Sequence, residues 1–183
     1  AYALMMSHKP WRVRRSPRIL PTMTPLSSLA TQIVQRLQGA GFVAYWVGGC
    51  VRDALLGRAP DDYDIATSAK PAEVEALFAR TIPVGRQFGV LLVMIEGRQF
   101  QVATFRADAE YLDGRRPARV TFGSAQADAQ RRDFTVNGLF FDPIARRLQD
   151  WVGGEIDLKA KVLRTLGAPA DRFAEDHLRM LRA

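Results

Sequence analysis

The sequence predicts an α+β domain with a mixed β-sheet flanked by helices. Helical and strand patterns follow one another irregularly, without the steady alternation that is typical of parallel α/β folds. The chain has 183 residues, of which 48% are hydrophobic, enough to build the core of one domain. No apolar run approaches the roughly 20 residues that a membrane helix needs. The first residue is Ala rather than Met, so we expect a processed form or a fragment.

Apolar spacing predicts the elements of the first half. Residues at helical spacing from Leu29 to Leu37, followed by Gly39, predict the first helix, and short apolar runs between turn residues predict strands. Pro71 suits the first turn of a helix, where its missing N–H is not needed. The predicted elements are a helix over 27–38, a strand over 42–47, a helix over 51–56, a strand over 63–65, a helix from Pro71, and a hairpin of strands 90–95 and 100–105.

The second half has weaker signals. Charged residues with Gly114 and Pro117 predict a mobile loop from Ala107 to Arg119. Ser124 is a suitable helix cap. The remaining predicted elements are a helix from Ser124 through Gln130, a short helix over 134–137, a hairpin of strands 139–141 and 147–151, a strand over 162–166, and a helix over 171–182.

The positive charge is concentrated at one end of the chain. The net charge is +7, and five basic residues with no acidic ones lie in the first 20 positions. This divides the chain into a basic, disordered tail over 1–24, a main domain over 25–167 and the start of a helical segment over 168–183. The tail would suit an anionic partner such as nucleic acid, with solvated disorder as the alternative.

Cysteine and histidine are too scarce for several classes of site. Cys50 is the only cysteine, which excludes an internal disulfide and predicts a reducing compartment, the cytoplasm. With only two histidines, a zinc site of His and Cys ligands is not expected. A metal ion would therefore have to be held by carboxylates.

Two glycines precede the second predicted helix. Gly48 and Gly49 allow the backbone to approach an anion closely, and Arg52 could add a charged contact to a phosphate. Alone, this pattern is more typical of a packing turn. It lacks the GxGxxG spacing of a dinucleotide site and the lysine of a P-loop, which argues against a dinucleotide-dependent oxidoreductase.

Asp62 and Asp64 follow shortly after the glycines. Alternate residues of a strand face the same way, about 6.5–7 Å apart, so both carboxylates would point to one place while Tyr63 and Ile65 pack behind them. Such a pair is costly unless a cation such as Mg²⁺ neutralises it. The alternative is an acidic turn facing solvent. Together, the glycine turn and the acidic pair predict a site for a nucleoside triphosphate.

Five ordered motifs resemble the head of bacterial tRNA nucleotidyltransferases and poly(A) polymerases, the class II CCA-adding family of polymerase-beta-like nucleotidyltransferases. The resemblance covers about residues 42–183. The motifs are GGCVRDALLG at 48–57, DYDIAT at 62–67, VATFR at 102–106, RRDFTVN at 131–137 and RFAEDHLRMLR at 172–182.

The resemblance implies a role for each matching position. Asp62 and Asp64 would be the catalytic residues and would hold Mg²⁺. The implied nucleotide-binding residues are Gly48, Gly49 and Arg52 at the triphosphate, Arg132 and Asp133 near the ribose and phosphates, Asp176 and Arg179 at the base edge, and Arg182, which contacts a phosphate or braces Asp176. Without the other motifs, Asp176 and Arg179 would be read as an exposed salt bridge on a helix.

The implied reaction is transfer of CMP or AMP from CTP or ATP to the 3′-hydroxyl of RNA, with the CCA end of tRNA as the preferred acceptor. Gln101 stands where the family usually has a third carboxylate, which either weakens a second metal site or is a tolerated variant. The family also continues beyond Ala183 into helical domains. Poly(A), CC-only or A-only addition and a non-catalytic RNA- or nucleotide-binding module are the alternatives.

Overall fold

The computed structural model describes residues 24–111, 117–175 and 177–181. A seven-stranded mixed sheet is flanked by helices, which confirms the predicted fold class, and a separate two-stranded ribbon accompanies it. The helices are α1 (Pro25–Gly39), α2 (Gly49–Leu55), α3 (Pro71–Leu77), α4 (Ala125–Gln130), α5 (Gly154–Ala160), α6 (Pro169–Glu175) and α7 (Leu178–Leu181). The strands are β1 (Ala44–Val47), β2 (Asp64–Thr67), β3 (Thr81–Gly85), β4 (Val90–Ile95), β5 (Arg98–Thr104), β6 (Arg106–Tyr111), β7 (Pro117–Phe122), β8 (Leu139–Asp142) and β9 (Arg147–Asp150).

The sheet has the strand order β3-β4-β5-β2-β1-β8-β9. Only β2 and β5 pair in parallel, and their register sets Ile65 opposite Val102. The other neighbours are antiparallel, with Trp46 opposite Ile65 between β1 and β2. The central strands β5, β2, β1 and β8 therefore come from distant parts of the chain and meet side by side.

Each face of the sheet carries its own hydrophobic cluster. The larger cluster joins the apolar side of α1 to one face, and Ile33, Trp46 and Ile65 are almost completely buried in it. The second cluster, on the other face, includes Phe140 of β8 and Ala129 of α4. Because side chains alternate along a strand, neighbouring residues of β1 and β2 serve opposite faces.

The helix α1 begins with a reciprocal cap. The Thr24 hydroxyl accepts a hydrogen bond from the Ser27 N–H at 3.1 Å, and the Ser27 hydroxyl accepts one from the Thr24 N–H at 2.8 Å. Pro25 then occupies the first turn, where no N–H is needed. The helix runs slightly beyond the predicted 27–38, and its predicted apolar face is the buried one.

Two sequence-based predictions are wrong. The segment expected to be a mobile loop contains β6 and β7, which pair antiparallel and form a sheet of their own. Apolar and polar residues alternate along both strands, as at Ala107, Ala109 and Tyr111, but the charged residues with Gly114 and Pro117 favoured a loop. The expected strand over 162–166 forms only a single bridge, between Phe134 and Thr165.

Two elements are present that the sequence did not indicate. The edge strand β3 exposes Ile82 and Val84, so it lacks the alternation of a half-buried strand. Helix α5 has seven residues, too few to establish a helical period. Within the described ranges, no helix has both the length and the apolar composition needed to cross a membrane.

Candidate functional site

The ends of three neighbouring strands, β1, β2 and β8, bring the predicted site segments together. Val47 pairs with Asp64, so the Gly48 turn that follows β1 lies beside the start of β2. The Gly48 N–H donates to the carbonyl of Leu139 at 3.1 Å, which places the turn preceding β8 on the other side. The glycine, aspartate and RRDFTVN motifs therefore meet at one end of the sheet.

Gly48 has a backbone conformation that requires glycine. Its φ is 74° and its ψ is −130°, a combination that residues with a Cβ adopt only under strain. A Cβ at this position would also lie 3.0 Å from Nη1 of Arg132. Gly48 thus ends β1 and leaves room for the Arg132 guanidinium beside the backbone.

Asp62 and Asp64 form an acidic pair without a compensating partner. Asp62 is exposed, Asp64 is half-buried, and Tyr63 and Ile65 are buried as predicted. Across the described residues, neither carboxylate has a hydrogen bond or an ion pair with a protein group. Burial, and next the charge of Asp62, raises the pKa of Asp64, while Arg132 opposes the rise. Such a pair favours a bound cation.

The register of the sheet places Gln101 next to Asp64. Ile65 pairs with Val102 in the parallel ladder, so the preceding residues of the two strands, Asp64 and Gln101, are neighbours on the opposite face. Gln101 is exposed and offers an amide oxygen. In the part of the chain that the structure describes, no three His, Cys, Asp or Glu side chains gather as a metal site, so the Gln101 amide stands where a third carboxylate could have joined this pair.

Arg132 is held in place from several sides. Its Nη2 donates to Oδ2 of Asp128 at 3.0 Å, and its Nη1 donates to the carbonyl of Asn137 at 3.4 Å. The guanidinium carbon lies 5.0 Å from the centre of the Phe140 ring. The buried Nε has no hydrogen-bond partner among the described residues. The result is a fixed cation beside Asp64, and the second N–H of Nη1 and of Nη2 is left for an anion.

Asn137 connects the two remaining predicted residues of this region. Its side-chain oxygen accepts from Nη1 of Arg52 at 2.7 Å, and its side-chain nitrogen donates to Oδ1 of Asp133 at 3.0 Å. Arg52 also makes a bidentate pair with Asp53, at 2.9 and 3.1 Å. Arg52 is therefore oriented by two protein partners before any ligand is bound.

Asn137 and Asp128 are functional candidates that the sequence reasoning missed. Asn137 lies within a quoted motif, but nothing in its residue type marks it as a bridge. Asp128 had a detectable signal, because it precedes Arg131 by three residues and Arg132 by four, the spacing at which helical side chains meet.

Asp128 is expected to make stability sensitive to acid. Burial tends to raise the pKa of this carboxyl, but Arg132, Arg131 and the Arg106 N–H together hold the pKa below its usual value. The contribution of Asp128 to the free energy of unfolding is therefore fully present above the unfolded pKa of about 3.9. It is lost as the pH falls through the lower pKa of the folded state.

The measurement is urea unfolding of the wild type and Asp128→Asn across the acidic range. At pH 7 the variant should lose about 3–5 kcal/mol, the usual cost of breaking a buried ion pair. The difference between the two proteins should shrink as the pH drops below about 4. A difference that stays constant over the whole range would contradict the assignment.

The C-terminal motif is described only in part. Arg179 is buried, and its Nη1 donates to the carbonyl of Arg172 at 3.0 Å. Asp176 and Arg182 lie outside the described residues, as does the basic tail up to residue 23. Base recognition by Asp176 and Arg179 stays a prediction.

Cys50 is a core residue. Its thiol is 2% exposed and donates to the carbonyl of Val47 at 3.3 Å. Burial, with a smaller effect of the Asp64 charge, raises the pKa of Cys50 to about 12. The thiol is therefore protonated at neutral pH and has a packing role.

Comparison with known proteins gives consistent matches. Residues 44–164 match the family described as Poly A polymerase head domain. The chain is 46% identical over 154 residues to the CCA-adding enzyme of Staphylococcus aureus (strain bovine RF122 / ET3-1), which covers 84% of this chain and 38% of that protein. It is 46% identical over 162 residues to the CCA-adding enzyme of Bacillus licheniformis, covering 88% and 41%.

Solved structures agree with these relatives. The Bacillus stearothermophilus CCA-adding enzyme in complex with CTP matches with a TM-score of 0.77 and 42% identity, over 87% of this chain and 38% of that one. The Thermotoga maritima CCA-adding enzyme complexed with tRNA_CCA matches with a TM-score of 0.68 and 25% identity, over 88% and 37%. The chain spans about two-fifths of the length of the curated relatives it matches.

Proposed function

Because the chain belongs to the Poly A polymerase head-domain family, we propose that it is the head of a nucleotidyltransferase. The proposed reaction transfers CMP and AMP from CTP and ATP to the 3′-hydroxyl of an RNA, with release of pyrophosphate. Relatives that are named CCA-adding enzymes support the tRNA 3′ end as the acceptor. The lone buried Cys50 suits the reducing cytoplasm, which we include in the proposal.

One observation carries the proposal. Asp62 and Asp64, an acidic pair with no hydrogen bond or ion pair to another described residue, lie beside the fixed guanidinium of Arg132 and the Gly48 turn. Carboxylates of this kind suit a metal ion, and an adjacent arginine with an unused donor suits a phosphate. A magnesium-bound triphosphate needs both in the same place.

The residues at the strand end fit Mg²⁺. Hard oxygen ligands are what this ion prefers, and Asp62 and Asp64 supply carboxylates while Gln101 supplies an amide oxygen next to Asp64. Bound there, Mg²⁺ would make the RNA hydroxyl more acidic and offset charge on the α-phosphate and the leaving pyrophosphate. Asp62 and Asp64 would hold the ion.

The remaining residues would bind the nucleotide. Gly48 and Gly49 let the triphosphate approach the backbone, and Arg132 donates to its oxygens. Asn137 holds Arg52 toward the triphosphate and Asp133 toward the ribose. Asp176 and Arg179 would read the base edge, and Arg182 would contact a phosphate or brace Asp176.

Substitutions at Asn137 are expected to weaken nucleotide binding. Asn137→Leu removes both hydrogen bonds of the bridge, whereas Asn137→Asp keeps an acceptor for Arg52 but sets a second carboxylate against Asp133. Loss of a buried orienting partner costs about 10–100-fold, and we expect both variants to fall in this range for CTP affinity. Calorimetric titration checks it, with the exposed Gln126→Leu as control. Unchanged affinity of Asn137→Leu would contradict the bridge.

The function is tested by incubating the chain with Mg²⁺, a tRNA lacking its CCA end, and labelled CTP and ATP, separately and together. Products are resolved to single nucleotides. Ordered addition of C, C and A is expected. A long ladder of A residues would indicate poly(A) polymerase activity instead. Nucleotide binding without incorporation would favour the non-catalytic module, for which the amide at Gln101 is the motivating feature.

A further inference from the structure

We propose that Asp128 is a positioning residue that sets the orientation of Arg132 and ties it to the base of the β6–β7 ribbon. The inference rests on the proposed function, since it takes Arg132 as a nucleotide-binding residue. Asp128 itself would not touch the nucleotide.

Both oxygens of Asp128 are engaged. The residue is on α4 and is 2% exposed. Its Oδ2 accepts from Nη2 of Arg132 at 3.0 Å, while its Oδ1 accepts from Nε of Arg131 at 2.9 Å and from the backbone N–H of Arg106 at 3.1 Å. The two oxygens thus serve different parts of the protein, and only one of them holds Arg132.

Arg132 depends on this contact for its direction. Its other hydrogen bond, to the carbonyl of Asn137, is 3.4 Å long, near the limit for such a bond. The contact with the Phe140 ring places the guanidinium over the ring but does not set where each N–H points. A charged bond to a buried carboxylate is shorter and more directional, so Asp128 determines where the remaining donors of Arg132 point.

The second oxygen reaches the ribbon. Arg106 is the first residue of β6, and at the returning end the Gly123 N–H donates to the carbonyl of Phe105 at 2.9 Å. The bond from the Arg106 N–H to Asp128 therefore fixes the point where the ribbon leaves the main sheet. One carboxylate connects this point to the arginine beside Asp64.

Without Asp128, Arg132 would have to be ordered by the nucleotide itself. Ordering a long side chain costs conformational entropy, and this cost would make the free energy of nucleotide binding less favourable. The expected consequence of Asp128→Asn is a roughly 10- to 100-fold loss of nucleotide affinity, the range typical when the partner that orients a ligand-binding side chain is lost. Asn keeps the shape of the side chain but has one oxygen instead of two, so it has one acceptor atom for Arg132 and the Arg106 N–H.

The test is a double-mutant cycle on the full chain, measured as CTP affinity in Mg²⁺ by calorimetric titration. The four proteins are the wild type, Asp128→Asn, Arg132→Lys and the double variant. Arg132→Lys keeps the positive charge but removes the planar fork. If Asp128 acts through Arg132, its substitution should cost little in the Arg132→Lys background. Equal losses in both backgrounds would indicate a purely structural role and overturn the proposal.

Arg131→Gln is the matched control, because it removes the other ion pair of the same carboxylate and leaves the bond to Arg132 intact. Its CTP affinity should stay within about threefold of the wild type, well below the loss expected for Asp128→Asn. A loss as large as that of Asp128→Asn would overturn the proposal.

Folding of each variant is checked by circular dichroism. If Asp128→Asn does not fold, Asp128→Glu takes its place in the cycle, since it keeps the charge but displaces the carboxylate. If a folded Asp128 variant binds CTP as tightly as the wild type, the positioning role is refuted but the proposed function is not. Absence of CTP binding by the wild type would instead refute the proposed function.

Discussion

Asp64→Asn is expected to abolish nucleotide addition and at the same time to stabilise the fold. Asp64 would be a ligand of the catalytic metal ion, and metal catalysis supplies several kcal/mol of transition-state stabilisation. We therefore expect a rate loss on the order of 10³-fold or more, since each 1.36 kcal/mol corresponds to a factor of ten.

The gain in stability follows from the same surroundings. Burial and the charge of Asp62 raise the pKa of Asp64, so the folded state disfavours the ionised carboxyl. A raised folded pKa means that stability decreases as the pH rises from the unfolded to the folded pKa. At pH 7 a neutral amide avoids this cost, and the melting temperature without metal should rise.

The measurements are single-nucleotide incorporation and thermal unfolding without metal. Asp61→Asn is the matched control, because Asp61 is an exposed neighbour outside the site, and it should change neither quantity. Retained turnover of Asp64→Asn would refute the catalytic assignment, and a lower melting temperature would refute the electrostatic one.

Gly154→Ala is expected to have a large effect on folding. A Cβ on Gly154 would lie 2.2 Å from the carbonyl oxygen of Thr135 and 3.0 Å from Cδ2 of Leu139. The nearest atom belongs to the backbone, so it cannot move aside as a side chain would. Helix α5 would have to separate from the turn that carries Asp133 and Asn137.

The expected cost is about 3 kcal/mol or more, at or beyond the upper end of ordinary overpacking. For a domain of this size that corresponds to a fall in melting temperature of roughly 6–12 °C. Nucleotide affinity should fall as well, because the turn is part of the site. Gly39→Ala is the control: a Cβ there meets nothing within 4 Å, and the change should be neutral or stabilise by up to about 1 kcal/mol. A wild-type melting temperature for Gly154→Ala would disprove this packing.

The sequence predicted the elements that have a buried face. The helix α1 and the hairpin of β4 and β5 were predicted to within a few residues because one side of each is apolar. The edge strand β3 exposes its apolar residues. The ribbon strands do alternate apolar and polar residues, but their charged residues together with Gly114 and Pro117 favoured a loop. The apolar residues of 162–166 suggested a strand, but Val162 and Leu163 are exposed and make no ladder.

In the candidate site, too, residues in local sequence patterns could be predicted, whereas residues whose roles depend on the tertiary structure could not. Asp62, Asp64 and the glycine pair could be predicted because each pattern is local. The roles of Asn137 and Asp128 depend on groups elsewhere in the chain: Asn137 binds Arg52 across 85 residues, and Asp128 binds the Arg106 N–H across 22. No spacing rule connects such pairs before the strand order is known.

The strand order also bears on when the site forms during folding. Parallel pairing of β2 with β5 closes over the segment that contains β3 and β4, and such non-local contacts form slowly because loop closure costs entropy first. The site is complete, with Gln101 beside Asp64, only after this crossover has formed. Nucleotide binding therefore requires the fully assembled sheet. A bound nucleotide would slow the opening of all four central strands together. In amide hydrogen exchange, the backbone amides of these strands would then gain protection to a similar extent.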